Sequence, residues 1–210
     1  MFLSGIITVI ILVFSAILHE IAHGYVADRL GDPTARLLGR LTLNPKNHID
    51  PVMSIALPLI LILSGSPVIF GAAKPVPVDP FNLKDGRKDL AIVSIAGPLT
   101  NILIAIIFSL LIKLISIFSI TFFALILPVL ILIVQINLLL AIFNLLPIPP
   151  LDGSKVFSLL LPDKEARTYL SLESIGFFIL IMLLMIPIGG FSLGEFIFNL
   201  LTASMGLLGL

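Results

Sequence analysis

The chain of 210 residues is 59% hydrophobic and 11% charged, whereas soluble globular domains average about 45–50% and about 25%. Together with a mean hydropathy of +1.22, this composition excludes a water-soluble protein and indicates an integral membrane protein. The twelve basic and twelve acidic residues cancel, which excludes the basic surface that nucleic-acid binding needs. The absence of cysteine excludes disulfides, cysteine-bound zinc and thiol nucleophiles.

The apolar residues fall into stretches, and a membrane-spanning helix needs about 20 mostly apolar residues. The stretches are 2–27, 51–70, 90–112, 117–146, 174–187 and 191–208, and the last two flank a tight turn at Pro187–Gly190. Polar loops lie at 28–50, 71–89 and 151–173. The start of the chain lacks the basic region and cleavage site of a signal peptide, so we expect the first stretch to be retained. We predict an all-α polytopic membrane protein, with one domain over 1–210 whose part 156–210 is a C-terminal loop and helical hairpin.

Basic residues are concentrated in the three polar loops, and only Lys113 lies outside them. The positive-inside rule places all three loops on the cytoplasmic side. Since 51–70 lies between two of these loops, it must enter and leave the membrane on the same side, which Pro58 and the turn cluster Ser64–Pro67 permit. We predict five crossings plus this re-entrant segment, with an extracytoplasmic N-terminus and a cytoplasmic C-terminus. Six crossings, with an ordinary span at 51–70, are the alternative.

His19, Glu20 and His23 form an HExxH pattern inside the first apolar stretch. The spacing of four residues puts both imidazoles on one helix face, where they can share a metal ion, and Glu20 can act as a general base. Ionisable groups at this depth cost several kcal/mol unless they are paired or coordinated. The position therefore favours zinc binding over a pair of structural histidines or a proton relay.

A catalytic zinc ion takes three protein ligands, so one more residue must join the two histidines. The candidates are His48 and a carboxylate, of which Asp152 is best placed. Asp152 follows the stretch 117–146 and three prolines that cannot continue a helix. If 117–146 runs parallel to the first stretch, Asp152 reaches the depth of the histidines, near the cytoplasmic face. An ordinary loop exit is the alternative interpretation of this proline-rich segment.

Three motifs together resemble the site-2 protease family of intramembrane zinc metalloproteases, in its compact prokaryotic branch. They are His19-Glu20-xx-His23, Gly97-Pro98-Leu99-Thr100-Asn101 and Asn144-xx-Pro147-x-Pro149-Pro150-Leu151-Asp152-Gly153. The loops 43–51 and 71–78 are also similar to that branch, so the resemblance covers about residues 15–155. HExxH alone is shared by many zinc hydrolases, but its combination with the last motif is highly specific.

The resemblance implies that His19, His23 and Asp152 bind one zinc ion per chain and that Glu20 is the general base. It also implies that Asn144 helps to polarise or hold the scissile carbonyl. An amide donor suits that role, because it stabilises an oxyanion without carrying a charge into the membrane.

Gly97 and Asn101 lie one helical turn apart, and in the family this pair marks the helix that packs beside the active site. Close packing of helices is sufficient to explain Gly97. For Asn101 both a packing role and a functional role stay open. Some relatives carry a regulatory PDZ domain between the catalytic segments, and this sequence has no room for one there. We therefore expect partner recognition to come from the membrane part or from separate proteins.

The expected activity is hydrolysis of peptide bonds within or beside transmembrane segments of membrane-protein substrates, in the cell membrane. A helical substrate hides its amides in hydrogen bonds and must first be unwound. The segment 36–44 could form a β-hairpin whose free edge holds an extended substrate, and a plain amphipathic loop is the alternative. The sequence names neither a substrate nor an oligomeric state.

Two other functions use buried histidines. A metal or proton transporter needs ionisable residues that continue across the membrane, and the apolar segments 2–18 and 122–134 contain none. An inactive relative that binds transmembrane segments without cutting them has no need of a general base, and Glu20 is present.

Overall fold

A computed structural model describes residues 2–51, 74–117, 126–187 and 189–210, together with the isolated positions 56, 60, 63 and 64. Within these parts the chain forms helices and turns. In chain order the α-helices are α1 (Phe2–Leu30), α2 (Thr34–Leu37), α3 (Arg87–Ile117), α4 (Leu127–Asn144), α5 (Asp152–Phe157), α6 (Asp163–Ser171), α7 (Glu173–Met185) and α8 (Leu193–Leu207). Short 3-10 turns lie at Pro45–Asn47, Pro80–Asn82 and Ser158–Leu160.

Three helices, α1, α3 and α4, are long and apolar enough to cross a membrane. In α1 the most apolar window has a mean hydropathy of 2.3, yet only 17% of it is buried inside the protein. Apolar side chains such as Val9 on α1 and Leu110 on α3 are 58% exposed. Water does not tolerate so large an apolar surface, so these faces are suited to contact with lipid. The all-α membrane architecture is confirmed.

The predicted number of crossings is too high for the described residues. They contain three possible spans, or four if α6 and α7, which meet at an angle of 67°, form one broken span. The apolar stretches 174–187 and 191–208 form helices of only 13 and 15 residues. At about 1.5 Å per residue these helices are about 20–22 Å long, which is shorter than a hydrocarbon core of about 30 Å. Most of 51–70, the predicted re-entrant segment, lies outside the described residues.

Hydrogen bonds fix the relative direction of α1 and α3. His23 on α1 contacts Val93 on α3, and His19, further back along α1, contacts Asn101, further along α3. The two helices are therefore antiparallel. A cluster of Ala105, Ile112, Leu130, Val134 and Leu138 packs α3 against α4.

The C-terminal helices hold the proline-rich loop that precedes α5. Leu146 and Leu151 of this loop pack against Leu180 on α7 and Leu193 and Ile197 on α8. Gly176 on α7 lets the loop approach closely, because a Cβ there would collide with the carbonyl oxygen of Pro149. The hydroxyl of Tyr169 donates to the carbonyl of Pro147 at 2.8 Å. The C-terminal part of the chain thus helps to direct the start of α5 back towards α1.

The prediction of a β-hairpin over 36–44 is wrong. The helix α2 ends in this segment, where the amide of Gly39 donates to the carbonyl of Arg36 at 3.0 Å and that of Arg40 donates to Ala35 at 2.9 Å. These two bonds close a helix end, and they require the positive φ of +63° that Gly39 adopts. Gly39 therefore terminates a helix, whereas a hairpin would have used it to turn between strands.

Candidate metal centre

The structure brings together the three residues that the sequence suggested as ligands. Asp152, at the start of α5, places Oδ2 3.1 Å from Nε2 of His19 and 3.2 Å from Nε2 of His23. The two Nε2 atoms are 3.0 Å apart. Both histidines are buried, with 6% and 7% exposure. Among the described residues these are the histidine and carboxylate side chains that converge closely enough to hold a metal ion.

The protons of the two imidazoles point away from this convergence. Nδ1 of His19 lies 2.6 Å from Oδ1 of Asn101, and Nδ1 of His23 lies 2.7 Å from the carbonyl oxygen of Val93. Since both partners are acceptors, a neutral ring carries its proton on Nδ1 and has a lone pair on Nε2. Two nitrogen lone pairs and a carboxylate oxygen thus face one point, which suits a cation.

The spacing of the three donor atoms agrees with a zinc site. Donors bound to one tetrahedral zinc ion at about 2.0–2.1 Å lie about 3.3 Å apart. The observed separations are 3.0, 3.1 and 3.2 Å. Burial alone would raise the pKa of Asp152, but its hydrogen bonds with His19 and His23 hold that pKa well below the ordinary value. The carboxylate is therefore ionised at neutral pH, as a metal ligand must be.

Glu20 is held by the segment 74–76 of the second polar loop. Its Oε2 accepts a hydrogen bond of 2.6 Å from the backbone amide of Val76. Arg40 fixes the same segment by donating to the carbonyls of Lys74 at 2.8 Å and Pro75 at 3.1 Å. The side chain of Val76 is buried against Gly24 of α1, where a Cβ would lie 2.8 Å from it. The carboxylate thus has a defined position beside His19.

His48, the other candidate for the third ligand, lies elsewhere. It is buried at 2% exposure, and its Nε2 donates to the carbonyl of Thr42 at 2.8 Å. Its own carbonyl accepts from the amide of Lys74 at 2.8 Å. These contacts make His48 a link between two loops, and the carboxylate alternative is the one that the geometry favours.

Asn144, the predicted donor to a substrate carbonyl, is the last residue of α4. Its Nδ2 donates to the carbonyl of Leu140 in the same helix at 3.0 Å. Among the hydrogen bonds of the described residues, none joins Asn144 to the two histidines or to Asp152. An amide nitrogen carries two protons, so one donor is available beyond the bond to Leu140.

Gly97 and Asn101, both on α3, lie directly against the two histidines. Asn101 is completely buried and accepts a hydrogen bond from His19, one of the candidate metal ligands. At Gly97 a Cβ would lie 2.5 Å from Nε2 of both His19 and His23. Gly97 does allow close packing, as expected, but its neighbours are the two imidazoles.

Two structurally important polar residues were not singled out by the sequence. Asn137 is completely buried on α4 and contacts Asn101 and Ser15. The sequence did offer a signal for Asn137, because an amide side chain within so apolar a stretch indicates a function.

Asp32, also completely buried, accepts hydrogen bonds from the amides of Thr34 and Asp79 and from the side chain of Asn82. Burial would raise its pKa, but these hydrogen bonds, together with one from the hydroxyl of Thr34, lower that pKa below the ordinary value. Asp32 thereby ties the end of α1 to residues 79–82, in the same polar loop as the segment that holds Glu20.

Comparison with known proteins agrees with this site. The model of peptidase family M50 matches residues 7–126 and 113–187. The chain is 38% identical over 196 residues to "Putative zinc metalloprotease YwhC" of Bacillus subtilis (strain 168), covering 88% of this chain and 83% of that protein.

It is also similar to two proteins named "Putative zinc metalloprotease Rip2". Identity is 31% to that of Mycolicibacterium smegmatis and 32% to that of Mycobacterium tuberculosis (strain H37Rv), in both cases over 82% of this chain. The matches span 64% and 62% of those longer proteins. No solved structure matches the chain. The extent of the family match and the identity to YwhC show that the chain belongs to peptidase family M50, the family of the site-2 proteases.

Proposed function

We propose that the protein is an intramembrane zinc metalloendopeptidase that hydrolyses peptide bonds in or near transmembrane segments of membrane proteins. The observation that carries this proposal is the convergence of Asp152 with His19 and His23, two residues of a helix that is apolar enough to cross a membrane and that also carries Glu20. Membership of a peptidase family and relatives named as zinc metalloproteases support it.

His19, His23 and Asp152 would hold one zinc ion. Zinc, when bound, supplies a Lewis acid that lowers the pKa of water to about 7 and polarises a carbonyl group. Glu20 would accept the proton of the attacking water and then deliver it to the leaving amine. Its bond to the amide of Val76 engages Oε2 and orients the carboxylate for this transfer.

Asn144 would stabilise the charge that develops on the substrate carbonyl. The amide proton that is not bonded to Leu140 is the donor for this role. A transmembrane substrate must be extended locally before its carbonyl can reach these groups, because a helix keeps each carbonyl in a backbone hydrogen bond.

We propose further that the active site lies near the cytoplasmic face of the cell membrane. Glu20 contacts the segment that begins with Lys74, and that segment is fixed by Arg40. Both basic residues lie in loops that the positive-inside rule assigns to the cytoplasm. The ligand-bearing part of α1 is therefore close to this basic side.

Cleavage by wild-type protein and by Glu20→Gln tests the proposed function. Each protein is reconstituted with membrane proteins of a cell, and newly formed peptide ends are identified by mass spectrometry. We expect the wild type to generate ends in or near transmembrane segments and Glu20→Gln to generate none, because glutamine has the same shape but accepts no proton. The control is Glu165→Gln, an exposed position on α6, which should cut like the wild type. Identical fragments from wild type and Glu20→Gln would refute the proposal.

A further inference from the structure

A chain of hydrogen-bonded, buried polar side chains leads from α4 through α3 to the metal centre. It consists of Asn137 and Asn101, both with 0% exposure, Ser15 with 5% and His19 with 6%. Such groups need hydrogen-bond partners, because no water in an apolar bundle replaces a missing one. The direction in which each bond is donated can be derived from the backbone outwards.

This chain of hydrogen bonds begins at a backbone carbonyl group, which can only accept a hydrogen bond. Nδ2 of Asn137 lies 2.8 Å from the carbonyl oxygen of Ile133 and 3.0 Å from Oγ of Ser15. The amide nitrogen of Asn137 must face Ile133, since two oxygens would otherwise oppose each other. Oδ1 of Asn137 consequently points at Asn101.

The orientation of Asn101 follows from that of Asn137. Nδ2 of Asn101 donates to Oδ1 of Asn137 at 2.9 Å and lies 3.5 Å from the carbonyl oxygen of Ser15. Oδ1 of Asn101 then faces Nδ1 of His19 at 2.6 Å. This oxygen fixes the proton of His19 on Nδ1 and leaves the lone pair of Nε2 for the metal.

The two histidines differ in how this orientation is secured. Nδ1 of His23 donates to the backbone carbonyl of Val93, which cannot turn round. Nδ1 of His19 donates to a side-chain amide, which could rotate by 180° and present a nitrogen donor. His19 would then carry its proton on Nε2 and lose the lone pair that a ligand needs.

We propose that Asn137 is a positioning residue of the metal centre. By preventing rotation of the Asn101 amide, it holds His19 in the tautomer and ring orientation that bind the metal. The inference rests on the proposed zinc site. Its alternative is that Asn137 and Asn101 only join α3 to α4, as polar residues do between membrane helices. That role would contribute to stability but not to metal affinity.

The affinity for zinc of folded Asn137→Leu distinguishes the two roles. Full-length protein in detergent is titrated with zinc against a chromophoric chelator, and its folded fraction is measured by circular dichroism. Absorption of the cobalt-substituted protein reports the coordination of the metal independently of activity. We expect Asn137→Leu to bind zinc about 10- to 100-fold more weakly, as loss of a hydrogen bond behind a ligand typically does, and to have an altered cobalt spectrum.

Two variants complete the experiment. Val134→Ala is the matched control, because Val134 is equally buried on α4 but is an apolar side chain of the cluster between α3 and α4. It should lower the melting temperature without changing the affinity. Asn137→Ala removes the same amide with less steric demand and replaces Asn137→Leu if that variant does not fold.

The failure of this inference is distinguishable from the failure of the proposed function. A folded Asn137→Leu or Asn137→Ala with the affinity and cobalt spectrum of the wild type overturns the inference alone. Equal weakening in Val134→Ala overturns it too, since the effect would then be one of general stability. Wild-type protein that binds no zinc overturns the zinc site and the inference together.

Discussion

At the scale of single residues, Gly97 decides how much room the metal centre has. A Cβ at this position would lie 2.5 Å from Nε2 of both His19 and His23. Neither ring can move away easily, because Asn101 and Val93 hold their Nδ1 atoms. The space that a methyl group would fill therefore adjoins the Nε2 atoms of both candidate ligands on α1.

We expect Gly97→Ala to lose most of its zinc without a matching loss of stability. Alanine favours the helix over glycine by about 1 kcal/mol, which offsets part of the strain. Zinc per folded chain and the melting temperature should be measured together. Gly5→Ala is the control on α1, since a Cβ at Gly5 meets nothing within 4 Å. Full zinc content in Gly97→Ala would show that the imidazoles have more freedom than their contacts indicate.

Asn144 offers a second test at this scale, which separates chemistry from structure. If its free amide proton stabilises the developing oxyanion, Asn144→Ala should keep zinc and fold but lose about 100- to 1000-fold in turnover. Asn144→Asp should be at least as damaging, because it puts a carboxylate where a donor is needed. Zinc content, melting temperature and cleavage rate are measured on the same preparations. A joint fall of zinc content, melting temperature and cleavage rate would mean that the amide has a structural role only, through its hydrogen bond to Leu140 at the end of α4.

At the scale of elements, the segment 74–76 positions Glu20, the proposed general base, and Arg40 holds this segment. Arg40→Ala removes the hydrogen bonds to the carbonyls of Lys74 and Pro75. We expect cleavage to fall by roughly 10- to 100-fold, because small displacements of catalytic groups have effects of this size. Zinc content should not change, since Arg40 contacts none of the three donor residues.

Arg36→Ala is the matched control for Arg40→Ala. Arg36 lies on α2, and its side chain is 59% exposed and paired with Asp28 at 3.0 Å. An ion pair so exposed contributes about 0–1 kcal/mol, so activity should remain near that of the wild type. Equal losses of activity in the two variants would attribute the effect to the loop as a whole and would contradict a specific role for Arg40.

The elements also show which features the sequence could predict. The HExxH spacing places His19 and His23 on one helix face wherever a helix forms, so that part of the site is local. Asp152 could be added because a parallel helix and three prolines constrain where the chain returns. Asn137 was missed because its proposed role depends on two contacts that exist only in the folded protein. Its amide nitrogen donates to the carbonyl of Ile133, and its amide oxygen accepts from Asn101, which is distant in sequence. The segment 36–44 was predicted as a hairpin although it ends a helix, because hairpin turns and helix ends both favour glycine, here Gly39.

At the scale of the whole molecule, three long helices assemble the site and the C-terminal helices support it. Sequence patterns predicted the membrane class. They overestimated the number of crossings, because hydropathy does not reveal that α7 and α8 stop after 13 and 15 residues. The close contact of Gly176 with Pro149 is also invisible in the sequence, because it exists only after α7 has packed on the loop.

The orientation in the membrane can be tested by labelling single cysteines, and the chain has no cysteine of its own. The variants Lys46→Cys, Lys84→Cys and Lys164→Cys should react only with reagents that reach the cytoplasm, because the positive-inside rule assigns the basic loops to that side. A cysteine at Ser116 should react from the opposite side. Ser116 is near the far end of α3, whose 31 residues span about 46 Å, more than a hydrocarbon core of about 30 Å. Labelling of Lys46→Cys and Lys84→Cys from opposite sides of the membrane would contradict this orientation.

The zinc content of the purified protein tests the central claim most directly, because every proposed step depends on His19, His23 and Asp152 holding the ion. Zinc per folded chain is measured by mass spectrometry for the wild type, Asp152→Ala and His48→Ala. We predict about one zinc ion in the wild type, loss of the ion in Asp152→Ala and retention in His48→Ala. Full zinc in Asp152→Ala together with loss in His48→Ala would contradict the site described here.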